Sequence, residues 1–342
     1  MTGEPRPGKR PPPGLAGPHV QTILGTLRLR GWRRRQRTAV LEALTTPRVL
    51  RLPGGVRLLG LYTPGTDARK GLVVLLHGWE GGADSDYLRS SALSLRAAGY
   101  ACFRLNLRDH GGTYALNEEL FHSCRITEVV DAVAALQALY APRRLTLAGY
   151  SLGGNFALRV AARAPAVGIR LDQVVAVCPV LHPPHTMDAL ETGFAGYRYY
   201  YLRKWRRSLL VKQACFPARY RLGDLRRLKT LTATTEYFVR EYTEFPDLDS
   251  YLHGYSILGD ALQDLAVPAH IIAAADDPII PSADLAALAP SPQLEISLLS
   301  WGGHCGFLAD YRFTSAIEPM ILGSLAGRSC GTGTTVGADV SL

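Results

Sequence analysis

A chain of 342 residues that is 47% hydrophobic and 20% charged has enough apolar material for one large or two average domains, which excludes wholesale disorder. Its net charge of +9 raises the question of a polyanionic partner, but residues 1–37 carry +8 and residues 198–230 carry +10, leaving an acidic remainder. The longest run free of Asp, Glu, Lys and Arg, residues 11–27, holds four prolines and is too short to cross a bilayer, and no cleavable signal peptide is expected either.

In chain order, residues 1–17 are Pro, Gly and basic residues, expected to form the disordered start of a basic arm that reaches residue 37. Residues 48–62 hold two β-rich runs around Pro53, Gly54 and Gly55, the pattern of a hairpin at a sheet edge. The unbroken apolar run 71–76 predicts a strand buried on both faces. A helical stretch over 87–99 ends on a glycine and leads into a strand over 100–107. Across 126–140 apolar residues recur at three and four spacing, an amphipathic helix stopped by Pro142.

A strand at 145–148, a helix at 152–163 and a strand at 174–178 continue the rhythm. It resumes later with strands at 269–275 and 294–299 and a closing helix at 314–325. Strands alternating with helices over short connections imply an α/β fold with a mostly parallel, doubly wound sheet. Residues 182–262 interrupt it, rich in Tyr and Arg and without strand periodicity, and are expected to form an inserted helical lid. The core is thus expected over 38–181 and 263–326, with a flexible tail at 327–342. Six cysteines (Cys102, Cys124, Cys178, Cys215, Cys305, Cys330) form neither a CxxC pair nor an even framework. They read as reduced thiols of a cytoplasmic protein, with no metal or cofactor expected.

The chemistry-bearing signal is Gly149-Tyr150-Ser151-Leu152-Gly153, set between a predicted strand and a predicted helix. A serine on so sharp a turn tolerates no bulky neighbours two positions away. Its hydroxyl is a weak nucleophile that needs a base, itself oriented by a carboxylate, in the chain order Ser, Asp/Glu, His. Asp276-Asp277-Pro278 follows the strand at 269–275, and His304 follows the strand at 294–299, so both stand past carboxyl ends of strands. Taken singly, an Asp pair before proline reads as a turn and a histidine among glycines as a structural residue; the three together in order do not. The developing oxyanion needs backbone donors, expected at the N–H of Leu152 and, from the loop 77–82, of Trp79. His77 precedes the serine, against the required order, and is expected to shape its loop.

On these motifs the chain resembles an α/β-hydrolase, and specifically the YheT-like branch with mammalian ABHD lipases and yeast medium-chain acyl ester enzymes. The resemblance is carried by Pro18-His19-Val20-Gln21-Thr22, the HGWEGG loop at 77–82, Asn106-Leu107-Arg108-Asp109-His110-Gly111-Gly112, the serine elbow, Asp276-Asp277-Pro278 and Gly302-Gly303-His304-Cys305-Gly306-Phe307. It spans residues 18 to about 310. It implies esterase, lipase or acyl-transfer chemistry on short to medium acyl chains. It also selects Asp277, next to the proline, over Asp276 as the acid. The N-terminal membrane anchor of the mammalian relatives is not expected here.

The segment 197–207 mixes aromatics with arginines. It is read as a lid helix whose aromatics cover a pocket and whose basic stems reach solvent. Peripheral contact with an anionic membrane is the second reading, and nucleic-acid binding is the least favoured. The functional expectation is a serine hydrolase of small-molecule or lipid esters working through an acyl-enzyme. The alternatives are an alcohol acyltransferase with the same residues and a non-catalytic membrane- or nucleic-acid-binding protein.

Overall fold

The computed structural model of the protein describes residues 11–26 and 38–327; the basic cluster at 28–37 and the expected tail beyond residue 327 lie outside them. Strands β1 (Thr46–Arg51) and β2 (Arg57–Thr63) form the antiparallel hairpin expected at the sheet edge, with Leu50 opposite Leu58. β2 pairs antiparallel with β4 (Ala101–Leu105). From there β3 (Leu72–Leu76), β5 (Leu145–Tyr150), β6 (Gln173–Val177), β7 (Ala269–Ala274) and β8 (Leu294–Leu299) run parallel, in the order β1-β2-β4-β3-β5-β6-β7-β8.

The unbroken apolar run of β3 has a direct cause. Leu72, Val74 and Leu76 face one hydrophobic core with Val129, Val133 and Phe156, while Val73 and Leu75 face another with Leu88, Leu95 and Ile321. Side chains alternate across a strand, so a strand covered on both sides must be apolar at every position. Each of these fully buried aliphatic side chains contributes about 1.5–3 kcal/mol. The helices involved are α2 (Asp86–Ala97), α3 (Ile126–Tyr140), α4 (Leu152–Arg163) and α9 (Ile317–Leu325).

The chain leaves β3 towards β4 on one side and returns to β5 on the other. This reversal opens a crevice beyond the carboxyl ends of β3 and β5, the place where open α/β sheets put their sites. Between β6 and β7 lie α5 (Pro183–Thr192), α6 (Ala195–Cys215), α7 (Leu231–Tyr242) and α8 (Leu248–His253). Thr230 caps α7 by accepting from the Ala233 N–H at 3.0 Å, and Asp247 caps α8 by accepting from the Ser250 N–H at 2.7 Å.

Helix α6 buries Leu202, Trp205, Leu209 and Lys212, one stripe at three and four spacing, and turns Arg203 and Arg207 outward. Lys212, one of the basic residues counted over 198–230, does not reach solvent. Its ammonium is fully buried and donates to Asp109 Oδ1 at 2.7 Å and to the carbonyls of Tyr114, Asn117 and Glu119. It pins α6 to the core loop that carries Asp109.

Residues 11–26 also differ from the expected arm. Leu15 is buried, and α1 (Pro18–Thr26) packs against the loop that holds His304. Gln21 donates through Nε2 to the carbonyls of Leu15 and Leu308 and accepts the Leu308 N–H at 2.7 Å. Composition misleads here because specific polar bonds, with the burial of Leu15, hold the segment. Among the described residues no helix is long and apolar enough to cross a membrane.

Candidate active site

Ser151 stands at the sharp turn between β5 and α4 with φ 53° and ψ −121°, a backbone conformation that costs a non-glycine residue free energy. The turn is possible because of its glycines. A Cβ on Gly149 would fall 2.1 Å from the Gly153 carbonyl oxygen, and one on Gly153 would fall 2.4 Å from that of Leu76. The packing of β5, α4 and β3 therefore admits no side chain at either position.

His304 follows β8 and is almost wholly buried. Its Nε2 accepts from the Ser151 hydroxyl at 2.9 Å, and its Nδ1–H donates to Asp277 Oδ2 at 2.9 Å. Asp277 follows β7, and its Oδ1 accepts the N–H groups of Ile279 and Ile280 at 2.8 and 2.9 Å. Both carboxylate oxygens are thus held, and the side chain cannot rotate without losing three bonds. Asp276 points elsewhere: its Oδ1 accepts the Gly303 N–H at 2.9 Å, tying the His304 loop to the end of β7. Burial raises the Asp276 carboxyl above its ordinary range.

Burial by itself would lower the His304 pKa, but the adjacent Asp277 carboxylate and its hydrogen bond, with a further contribution from Cys305, outweigh it. The imidazole is raised well above its usual value. The loop's backbone is fixed from α1, where the Thr22 hydroxyl accepts the His304 N–H at 2.9 Å. His19 on the same helix pairs through Nδ1 with the Tyr197 hydroxyl of α6 at 2.9 Å. Neither Thr22 nor Gln21 was expected to support His304. The signal available was the Pro18–Thr22 motif, whose spacing gives no hint of what it packs against.

Trp79 and Leu152 both line the cavity that contains Ser151. In the loop after β3, the N–H groups of Gly78, Glu80 and Gly81 are taken by the Tyr87 hydroxyl, His110 Nε2 and the Gly78 carbonyl; that of Trp79 has no partner among the described residues. Leu152 opens α4, where an amide has no intrahelical acceptor. A Cβ built on Gly78 would lie 3.7 Å from Ser151 Oγ, so this loop closes directly on the serine.

His77 is wholly buried and makes two local bonds: Nδ1–H to the Gly78 carbonyl at 2.7 Å, and Nε2 from the Leu107 N–H at 3.1 Å. Burial, reinforced by the neighbouring His110, pushes its pKa well down and keeps it neutral. It holds the loop and does not meet Ser151. His110 is arranged alike, donating to the Arg108 carbonyl and accepting from Glu80, with its pKa pushed down to about 4 by burial.

The cavity beside Ser151 has a volume of about 90 Å³. Its walls are mostly apolar: Leu152 and Val180 from the core, and Met187, Tyr201, Trp205 and Phe238 from the insertion. Trp79 stacks on Tyr201 at 5.4 Å and meets Trp205 edge-on, so the loop after β3 and helix α6 close the same space. Among the described residues, the one cluster with metal-ligand chemistry is Cys178, His304 and Cys305, and both ring nitrogens of His304 are already bonded.

A family model described as alpha/beta hydrolase fold matches residues 71–310. Among curated proteins, the chain is 27% identical to YheT of Escherichia coli, a candidate esterase, over 86% of this chain and 85% of that one. It is 29% identical to the pimeloyl-[acyl-carrier protein] methyl ester esterase of Xylella fastidiosa, over 73% of this chain and 94% of that one. Among solved structures, a serine hydrolase from Cycloclasticus zankles superposes with a TM-score of 0.55 at 16% identity, covering 83% of this chain and 99% of that one. At that identity the likeness is one of fold.

Proposed function

The chain belongs to the alpha/beta hydrolase family, and from that premise we propose that it is a serine-dependent carboxylic ester hydrolase in which Ser151, His304 and Asp277 act as nucleophile, base and orienting acid. The observation that carries this reading is the unbroken chain of bonds from Asp277 Oδ2 through His304 to Ser151 Oγ, each 2.9 Å long. His304 Nε2 takes the Ser151 proton as Oγ attacks the ester carbonyl. The N–H groups of Leu152 and Trp79 receive the oxyanion. Asp277 keeps the proton on Nδ1 and stabilises the imidazolium. His304 then returns its proton to the departing alcohol, and a water activated by the same nitrogen releases the acid.

The narrow apolar cavity favours a short or medium acyl chain over a bulky or charged group. Residues 182–262 are read as the lid over a core formed by 38–181 and 263–326. The identity with YheT, with the motifs at 18–22 and 302–307, supports placement in the YheT-like branch. The test is labelling by a fluorophosphonate, combined with hydrolysis of short-chain p-nitrophenyl esters. Ser151→Ala is expected to abolish both, and labelling that survives this substitution overturns the proposal.

A further inference from the structure

Two cysteines take no part in that chemistry yet stand beside it. Cys178 follows β6 and is buried; Cys305 follows His304 and is half-buried. Cys178 Sγ faces the Gly303 carbonyl at 3.9 Å and Cys305 Sγ faces the Val177 carbonyl at 3.8 Å, so each thiol reaches into the other's segment. The two sulfurs and a ring nitrogen of His304 all lie within 4.8 Å of one another.

The two thiols are not equivalent. Burial pushes Cys305 up, but the hydrogen bond from Cys178 and the charge of His304 outweigh it and bring it down to about 6. Cys178 is raised well above its usual value, by burial first and then by its neighbour's negative charge. Cys305 is therefore the more acidic thiol of the pair. Cys102 and Cys124, pushed up to about 12 chiefly by burial, lack this character. A half-buried, acidified thiol with a second thiol in reach is the arrangement in which oxidation leads to a bridge rather than to higher oxides.

We propose that Cys305 and Cys178 form a redox-active pair that hydroperoxides convert to a disulfide, and that this bridge withdraws His304 from Ser151. The Cys305 thiolate attacks the distal oxygen of the hydroperoxide; the O–O bond breaks and the alkoxide or hydroxide leaves, taking up a proton. The resulting sulfenic acid is attacked at sulfur by Cys178, the S–O bond breaks, and water leaves with the Cys178 proton. Overall the pair loses two hydrogens and the hydroperoxide is reduced to water and an alcohol, or to two waters.

Closing an S–S bond of about 2 Å draws Cys305 towards β6. His304 is its immediate neighbour, and a displacement on the order of 1 Å at a catalytic group costs roughly a hundredfold in rate. The bridge rests on the sulfur geometry, supported by the acidity of Cys305; its effect at Ser151 rests on the hydrolase reading.

The experiment treats the full chain with hydrogen peroxide, alkylates remaining thiols, and maps non-reduced peptides while following fluorophosphonate labelling. A Cys178–Cys305 cross-linked peptide is expected, with labelling slowed roughly a hundredfold and restored by dithiothreitol. Cys178→Ala is expected to stop at a Cys305 sulfenate that dimedone traps. Recovery of both cysteines as free thiols, or bridging of other cysteines instead, overturns the pair; a bridge that leaves labelling unchanged overturns the coupling to His304. Failure of the untreated protein to label at Ser151 counts against the hydrolase reading and leaves the peptide map to decide the bridge.

Discussion

Replacing Asp277 by Asn tests the proposed relay at its most constrained point. Oδ1 of Asp277 accepts two backbone N–H groups, from Ile279 and Ile280, so an asparagine must place its carbonyl oxygen there to keep both bonds. Its NH2 group then occupies the Oδ2 position and points a hydrogen at His304 Nδ1. That nitrogen must now accept, which moves the imidazole proton to Nε2, the atom that faces Ser151. A protonated Nε2 cannot take the serine proton. The comparable wrong-tautomer substitution in serine proteases costs about four orders of magnitude in rate, or about 5 kcal/mol of transition-state stabilisation. In the assay, initial rates of p-nitrophenyl ester hydrolysis and second-order fluorophosphonate labelling are compared at matched folding, checked by circular dichroism. Asp276→Asn is the internal control. Its contact needs one acceptor oxygen for the Gly303 N–H, which asparagine supplies, so the rate is expected to stay within about tenfold of the parent, a loss of at most about 1.4 kcal/mol. A folded Asp277→Asn protein that works within about tenfold of the parent, or equal losses from both substitutions, would refute the reasoning.

Two further predictions follow from the same site. Because His304 must be neutral to accept the Ser151 proton and its pKa is raised, kcat/KM is expected to climb with pH on the alkaline side of the ordinary histidine range. Activity should be low below that range, and Asp277→Asn should move the inflection to lower pH; an unmoved inflection in the pH–rate profile assigns it to another group. At the elbow, Gly153→Ala is expected to lower stability by about 1–3 kcal/mol and to remove most activity, since the new Cβ meets the Leu76 carbonyl at 2.4 Å. Gly154→Ala, whose nearest contact is 3.1 Å to the Pro179 side chain, should be the milder change by denaturant titration.

Secondary structure was largely legible wherever burial imposes a period. The run 72–76 had to be apolar throughout because both faces are covered, and 126–140 had to repeat at three and four because one face packs, and both became elements with those bounds or nearly so. The docking of segment 11–26 is not legible locally, because it depends on Gln21, Thr22 and His19 meeting specific hydrogen-bond partners 178 or more positions away in sequence. Nothing local in composition encodes such a partner. The seat of Lys212 is illegible in sequence for the same reason. Counted with ten other basic residues it looks like surface charge, and only the fold shows the ring of oxygens that surrounds it.

By itself the sequence determined which residue types stand at the ends of which strands, and thereby a mostly parallel sheet with Ser151, an Asp pair and His304 past its carboxyl edge. It did so because periodicity and turn chemistry are short-range properties. The tertiary structure decided which carboxylate meets His304, which amides around Ser151 have no partner among the described residues, that the apolar walls of the cavity come partly from α6, and that two distant cysteines share one corner. The bonds of the Asp277–His304–Ser151 chain join segments 27 and 153 residues apart, and hydrogen bonds act only within about 3 Å.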